Sequence, residues 1–154
     1  MADPELLKLE RQVCFALAVA SRTVIALYRP LLEPMGITHP QYLVLLALWE
    51  QSPRSVKDLA GVLMLDPGTL SPLLKRLEAA GLIERGRDAD DERLLAVVLT
   101  ERGRQLRERA LEIPPAIIAR LGLPVTELQE IHGELTKMIA AATQPQQYPV
   151  AAID

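Results

Sequence analysis

Residues 55–99, S-V-K-D-L-A-G-V-L-M-L-D-P-G-T-L-S-P-L-L-K-R-L-E-A-A-G-L-I-E-R-G-R-D-A-D-D-E-R-L-L-A-V-V-L, read as two short helices, a tight turn and a hairpin with a charged tip. Ser55 with Asp58 three residues on has the form of a capping box. Val56, Leu59, Ala60, Leu63 and Met64 share one face of the helix that follows. Asp66-Pro67 is a second start signal, an acceptor for orphan N–H groups followed by a residue pre-set to helical φ. Leu70, Leu73, Leu74, Leu77 and Ala80 give the second helix its apolar stripe, and Gly81 ends it.

The opposite face of that second helix carries Gly68, Thr69, Ser71, Pro72, Lys75 and Arg76, all small, hydroxylated or cationic. Such a face cannot fill an apolar groove, but it permits close approach to phosphates and base edges. The layout is that of a recognition helix in a helix-turn-helix, with Asp66 and Pro67 at its start. Residues 82–87 and 93–99 read as two strands, and R-D-A-D-D-E-R between them as a wing. Arg85, Arg87 and Arg93 add cations to this reading head.

The chain has 154 residues, enough for one domain with a real core and not for two. Apolar residues make up 49% and aromatics 3%, which points to packed Leu, Ala, Val and Ile helices rather than a β-sandwich. The fold class expected is mainly α with a small β-hairpin, an α+β winged helix-turn-helix flanked by N- and C-terminal helices. The net charge of −3 does not announce a nucleic-acid binder, so a DNA partner requires segregated cations. The longest unbroken apolar run, residues 13–20, falls far short of a membrane span. The start M-A-D-P-E lacks the basic region of a secretory signal, and a single cysteine excludes an internal disulfide framework. No membrane partner, no metal and no cofactor are expected, and the expected location is cytoplasmic.

Elsewhere the patterns are helical. Asp3-Pro4 opens a long helix running to Leu27, which Pro30 is expected to kink or end. Thr38 with Gln41 caps a helix over 40–51 that is apolar almost all round and therefore buried. Thr100 caps another, Pro114-Pro115 interrupts it, and residues 122–124 form a turn. A last helix over 125–142 aligns Leu128, Ile131, Leu135, Met138 and Ile139. The residues from 144 on have the Pro/Gln character of a frayed tail. The first helix and the last two carry apolar stripes that a winged helix-turn-helix cannot cover alone, so a second copy in a C₂ dimer is expected to cover them.

Helices, helix-turn-helix, a D-A-D-D-E-R wing, T-E-R-G and closing helices resemble, over nearly the whole chain, the MarR family of dimeric winged-helix regulators. Within it, V-C-F-A-L, Y-R-P-L-L, T-H-P-Q-Y-L-V-L-L-A-L-W-E and L-D-P-G-T-L-S-P-L-L-K-R-L-E are similar to the organic hydroperoxide regulators, the OhrR branch. The resemblance implies a single domain over 1–143, with dimerisation helices near 4–34 and 101–143 and a winged helix-turn-helix near 38–100. It implies a repressor that is not an enzyme, bound as a homodimer to double-stranded DNA at a pseudo-palindromic operator. In that branch the cysteine of C-F-A-L, here Cys14, is the redox sensor and an organic hydroperoxide the inducer. Tyr28 carries over from Y-R-P-L-L and Tyr42 from P-Q-Y. His39 stands where the branch usually has Tyr, and Ala18 where it often has Tyr. With no second cysteine, the chain is similar to the one-cysteine type, whose sulfenic acid is capped by a low-molecular-weight thiol or oxidised further. In the family an acid of the wing, here Asp91 or Asp90, braces it, and the last Arg, here Arg93, enters the minor groove. On the residues alone Cys14 reads first as a small packed residue, a reading that the resemblance reverses, and a ligand-released repressor with a structural Cys14 is the alternative.

Overall fold

The computed structural model describes residues 3–87 and 95–144. Two compact units divide the chain, Met1–Ile117 and Ile118–Asp154. The first contains α1 (Val13–Ala26), α2 (Arg29–Leu32), α3 (His39–Glu50), β1 (Arg54–Ser55), α4 (Val56–Leu63), α5 (Pro67–Ala79), β2 (Ile83–Arg87), β3 (Leu95–Leu99) and α6 (Glu101–Ala110). Helix α7 (Ile113–Leu121) carries the boundary, and the second unit is built on α8 (Val125–Thr143).

The N-terminal segment differs from the expected single long helix. Two 3-10 turns, Pro4–Leu7 and Leu9–Arg11, precede α1, because Lys8 and Gln12 take extended backbone angles and each stops a helix. Helix α1 ends at Ala26, and Pro30 sits in the first turn of α2, where its missing N–H costs nothing. No residue of α1 is buried, and Leu6, Leu7, Val13, Phe15 and Ile25 all face outward. The stretch Val13–Met35 is long and apolar enough, by length and composition, to cross a membrane. Its longest regular helix has 14 residues, however, and Arg22 and Arg29 lie along it.

The core of the first unit is leucine-rich. Leu32, Val44, Leu45, Leu48, Leu59, Leu70, Leu74, Leu77, Ile83 and Val97 are essentially inaccessible, each worth about 1.5–3 kcal/mol of apolar burial. Helix α3 is its centre, with Gln41 accepting from the Thr38 backbone N–H at 2.9 Å as the capping pattern requires. It is not apolar on all sides to equal effect: Leu43 and Leu46 are exposed. Ser55 Oγ accepts from the Asp58 N–H at 3.0 Å to start α4. Met64 does not join the apolar face of α4, because it adopts the left-handed conformation that ends the helix (φ 54°) and is 60% exposed.

The sheet has three strands in the order β1-β3-β2, all antiparallel. Ile83 pairs with Leu99, Arg85 with Val97 and Arg87 with Leu95, as the hairpin pattern implies. The added strand is two residues long, Arg54 opposite Val97 and Ser55 opposite Ala96, and gives no periodic signal of its own. In the second unit Gly122 takes φ 65° and releases the chain into α8, whose Ile131, Leu135, Met138 and Ile139 are all exposed.

Candidate nucleic-acid interface and its thiol

Helix α5 is fixed at its start by Asp66, which accepts from the Thr69 N–H and the Thr69 hydroxyl, both at 2.9 Å. The Thr69 hydroxyl above all holds the Asp66 carboxyl below the usual carboxylate range. Pro67 occupies the first helical position, while Pro72 inside the helix has no N–H to offer the Gly68 carbonyl. Leu70, Leu73, Leu74 and Leu77 anchor one face in the core. The other presents Gly68, Thr69, Pro72, Lys75 and Arg76 to solvent, with Ser71 half-buried at its edge. The polar face expected of a recognition helix is thus outward along the helix.

The C-terminal end of α5 is braced from two sides. Arg85 donates from Nε and from its backbone N–H to Glu78 Oε2 and from a terminal nitrogen to Glu78 Oε1, at 3.2–3.4 Å. This fork ties β2 to α5 and, through the Arg85 side chain first, holds the Glu78 carboxyl low. Arg85 is therefore engaged within the chain, whereas Arg87 is exposed at the end of β2. From the other side, Thr100 donates its N–H to the Leu82 carbonyl at 3.1 Å and its hydroxyl to the Gly81 carbonyl at 2.7 Å. Arg102 donates to the Ala80 carbonyl at 3.1 Å. Asp90, Asp91 and Arg93 lie outside the described residues.

Two further residues matter that no motif singled out. Arg54 is buried, donates from Nε to the Ala47 carbonyl at 2.9 Å and pairs with Asp58 at 2.8 Å and Glu50 at 3.8 Å. It locks the end of α3 to α4. The i,i+4 spacing of Glu50, Arg54 and Asp58 was the available signal. Trp49 donates from Nε1 to the Gly103 carbonyl at 2.9 Å, a contact spanning 54 residues that no local pattern shows.

Of the four thiol-site candidates, three come together. The rings of Tyr28 and His39 lie 4.8 Å apart edge to face, Tyr28 and Tyr42 6.0 Å, and His39 and Tyr42 6.2 Å. Burial raises both phenols, that of Tyr42 further through Tyr28, and lowers His39 from its usual 6.5. At neutral pH the cluster is uncharged, with two phenol O–H groups able to donate. Beside it opens a cleft of about 540 Å³ lined by Ile25, Leu32, Ile37 and His39, with Arg22 and Arg29 among its polar walls. Cys14 is not in the cluster. It is exposed in the first turn of α1, and at 1.5 Å per residue it stands about 20 Å from Tyr28 of its own chain.

Among the described residues no group of three or more His, Cys, Asp or Glu side chains is arranged to hold a metal ion.

Comparison with known proteins bears on this geometry directly. The sequence model described as the MarR family matches residues 37–95, from the start of α3 into β3. The organic hydroperoxide resistance transcriptional regulator of Bacillus subtilis (strain 168) is 42% identical over 138 residues, covering 90% of this chain and 94% of that protein. Among solved structures, reduced AbfR bound to DNA superposes with a TM-score of 0.73 at 36% identity, over 90% of this chain and 96% of that one. CouR from Rhodococcus jostii RHA1 bound to p-coumaroyl-CoA superposes with a TM-score of 0.74 at 28% identity, over 86% and 94%. The similarity spans the reading head and the helices on either side of it, and its bearers are regulators rather than enzymes. The chain belongs to the MarR family and is a DNA-binding transcriptional regulator.

Proposed function

We propose that the protein is a cytoplasmic, homodimeric repressor that leaves its operator when an organic hydroperoxide oxidises Cys14. The observation carrying this is the separation of the exposed thiol from an uncharged Tyr28–His39–Tyr42 cluster about 20 Å away on the same chain. A two-fold axis that runs one α1 against another brings the thiol of one copy to the phenols of its partner. The apolar residues exposed on α1 and on α8 are the surface for such a pairing, with dimerisation helices near 4–34 and 101–143. A dimer also sets two α5 helices into successive major grooves, about 34–36 Å apart on a pseudo-palindromic site. Gly68, Thr69, Ser71 and Pro72 approach the bases and backbone, Lys75, Arg76 and Arg87 the phosphates, and Arg93 the minor groove, with Asp91 or Asp90 as the bracing acid.

In the reaction the Cys14 thiolate attacks the outer peroxide oxygen. The O–O bond breaks, the alcohol leaves with a proton, and a sulfenic acid remains. A low-molecular-weight thiol then condenses with it, forming a mixed disulfide and releasing water. The phenol O–H groups donate to the developing alkoxide. Cys14→Ser retains operator binding and loses release by cumene hydroperoxide in a gel-shift on the chain's own upstream DNA. A Cys14→Ser protein still released by the oxidant refutes the assignment.

A second reading is favoured by the cleft beside the cluster. There a small molecule displaces the repressor and Cys14 is structural, which is consistent with the likeness to the p-coumaroyl-CoA-bound CouR structure. Wild-type protein indifferent to hydroperoxide in the same assay selects it.

A further inference from the structure

We propose that Trp49 is a positioning residue that transmits the state of the aromatic cluster to the C-terminal end of the recognition helix. One run of contacts leads from one to the other. Tyr42 meets Tyr28 and His39 at its N-terminal side and Trp49 at 6.4 Å, two helical turns further along α3. Trp49 leaves α3 through its Nε1–H, which donates to the Gly103 carbonyl at 2.9 Å. Gly103 belongs to the first turn of α6, where its N–H donates to the Thr100 hydroxyl at 3.0 Å. That turn grips the segment just after α5 through three carbonyls, Ala80, Gly81 and Leu82. No slack is left at the grip: a Cβ on Gly103 would stand 2.1 Å from the Leu82 oxygen. The leucines of α5 hold its buried face, so the position of its far end is set by this grip and by the Glu78–Arg85 fork. A ring shift at Tyr42 therefore reaches α5 through the indole and the start of α6.

The inference rests on the hydroperoxide reading for its trigger, and the test separates the two. Trp49→Phe keeps a ring against Tyr42 and removes the indole N–H that donates to the Gly103 carbonyl. Operator affinity is measured by fluorescence anisotropy for wild type and Trp49→Phe, each reduced and after cumene hydroperoxide. Trp49→Phe binds within about three-fold of wild type when reduced, and its oxidant-induced loss of affinity shrinks by about five-fold or more. An undiminished loss in a Trp49→Phe protein of wild-type circular dichroism overturns the role of Trp49 and leaves the thiol switch standing. If wild type itself is not released, the hydroperoxide reading fails, and Trp49 is judged by its emission on binding DNA. It is the only tryptophan in the chain, so its emission reports the joint without any substitution. The emission shifts when operator DNA is added to reduced wild type, and an unchanged spectrum at saturating DNA overturns the proposal.

Discussion

Gly103→Ala reverses the sign that helix propensity alone gives. Alanine inside a helix is favoured over glycine by about 1 kcal/mol, so an unobstructed site gains stability from the change. At Gly103 the new Cβ would lie 2.1 Å from the Leu82 oxygen, 3.1 Å from its carbon and 3.2 Å from Leu99 Cδ2. The carbonyl cannot turn away, because it accepts the Thr100 N–H at 3.1 Å. Ordinary contact begins at 3.4 Å, so the first turn of α6 has to retreat by 3.4 − 2.1, or 1.3 Å. That retreat lengthens the Thr100–Leu82 and Trp49–Gly103 bonds, at 3.1 and 2.9 Å, past hydrogen-bonding distance. Each is worth about 1 kcal/mol, and the Thr100–Gly81 bond loosens with them, for a loss of about 2–3 kcal/mol. Against the propensity gain the net is a destabilisation of about 1–2 kcal/mol, or about 3–6 °C in Tm for a chain of this size. Gly61→Ala in α4 is the internal control, since nothing lies within 4 Å of its Cβ position, and its Tm rises by about 3 °C. Both are read by circular dichroism at one protomer concentration, because dimerisation links stability to concentration. A Gly103→Ala protein as stable as wild type, or more so, refutes the close approach of α6 to Leu82.

Two further outcomes follow from the site. Burial depresses the His39 imidazole below 6.5, so on acidification from pH 7 the unfolded chain takes up this proton first and stability falls from about pH 6.5 downward. His39→Gln flattens that part of the pH dependence, measured by urea denaturation at pH 7, 6 and 5, and identical slopes for the two proteins rule it out. Arg93→Ala lowers operator affinity and reduces the log–log salt slope by about 1, as loss of one phosphate-neutralising cation requires; an unaltered titration between 50 and 200 mM salt (conditions of about the usual range) rejects the minor-groove role.

Much of this architecture is legible in short windows because caps are local. Ser55 before Asp58, Asp66 before Pro67, Thr38 before Gln41 and Thr100 before Gly103 each act within three residues, and each caps where its spacing indicates. The leucine stripe of α5 is equally plain, since a 3.6-residue period needs one turn to declare itself. What escapes is decided elsewhere in the chain. The expected helix over the first residues fails at Lys8 and Gln12, where an apolar pattern persists while the backbone extends. Strand β1 exists only because Val97 and Ala96 pass beside Arg54 and Ser55. Arg85 looks like any cation of a reading head until Glu78, seven residues back, is found against it.

The thiol site carries this dependence on distant partners one step further. Cys14, Tyr28, His39 and Tyr42 can be named from short motifs, and the fold of one chain gathers three of them. The fourth is held at the other end of a helix whose rigidity forbids the meeting. A bond between the Cys14 sulfur and Tyr28 within one protomer would require α1 to fold back on itself, at the cost of its helical hydrogen bonds. In the proposed dimer the same rigidity becomes useful, since a straight α1 laid against its copy fixes both thiol–phenol distances at once. It follows that a covalently linked heterodimer of a Cys14→Ser protomer with a Tyr28→Phe protomer retains one complete site or none, depending on which copy supplies which group. If the sites are shared between copies, one of its two sites loses both groups and the other keeps both; if each chain builds its own, both sites are broken.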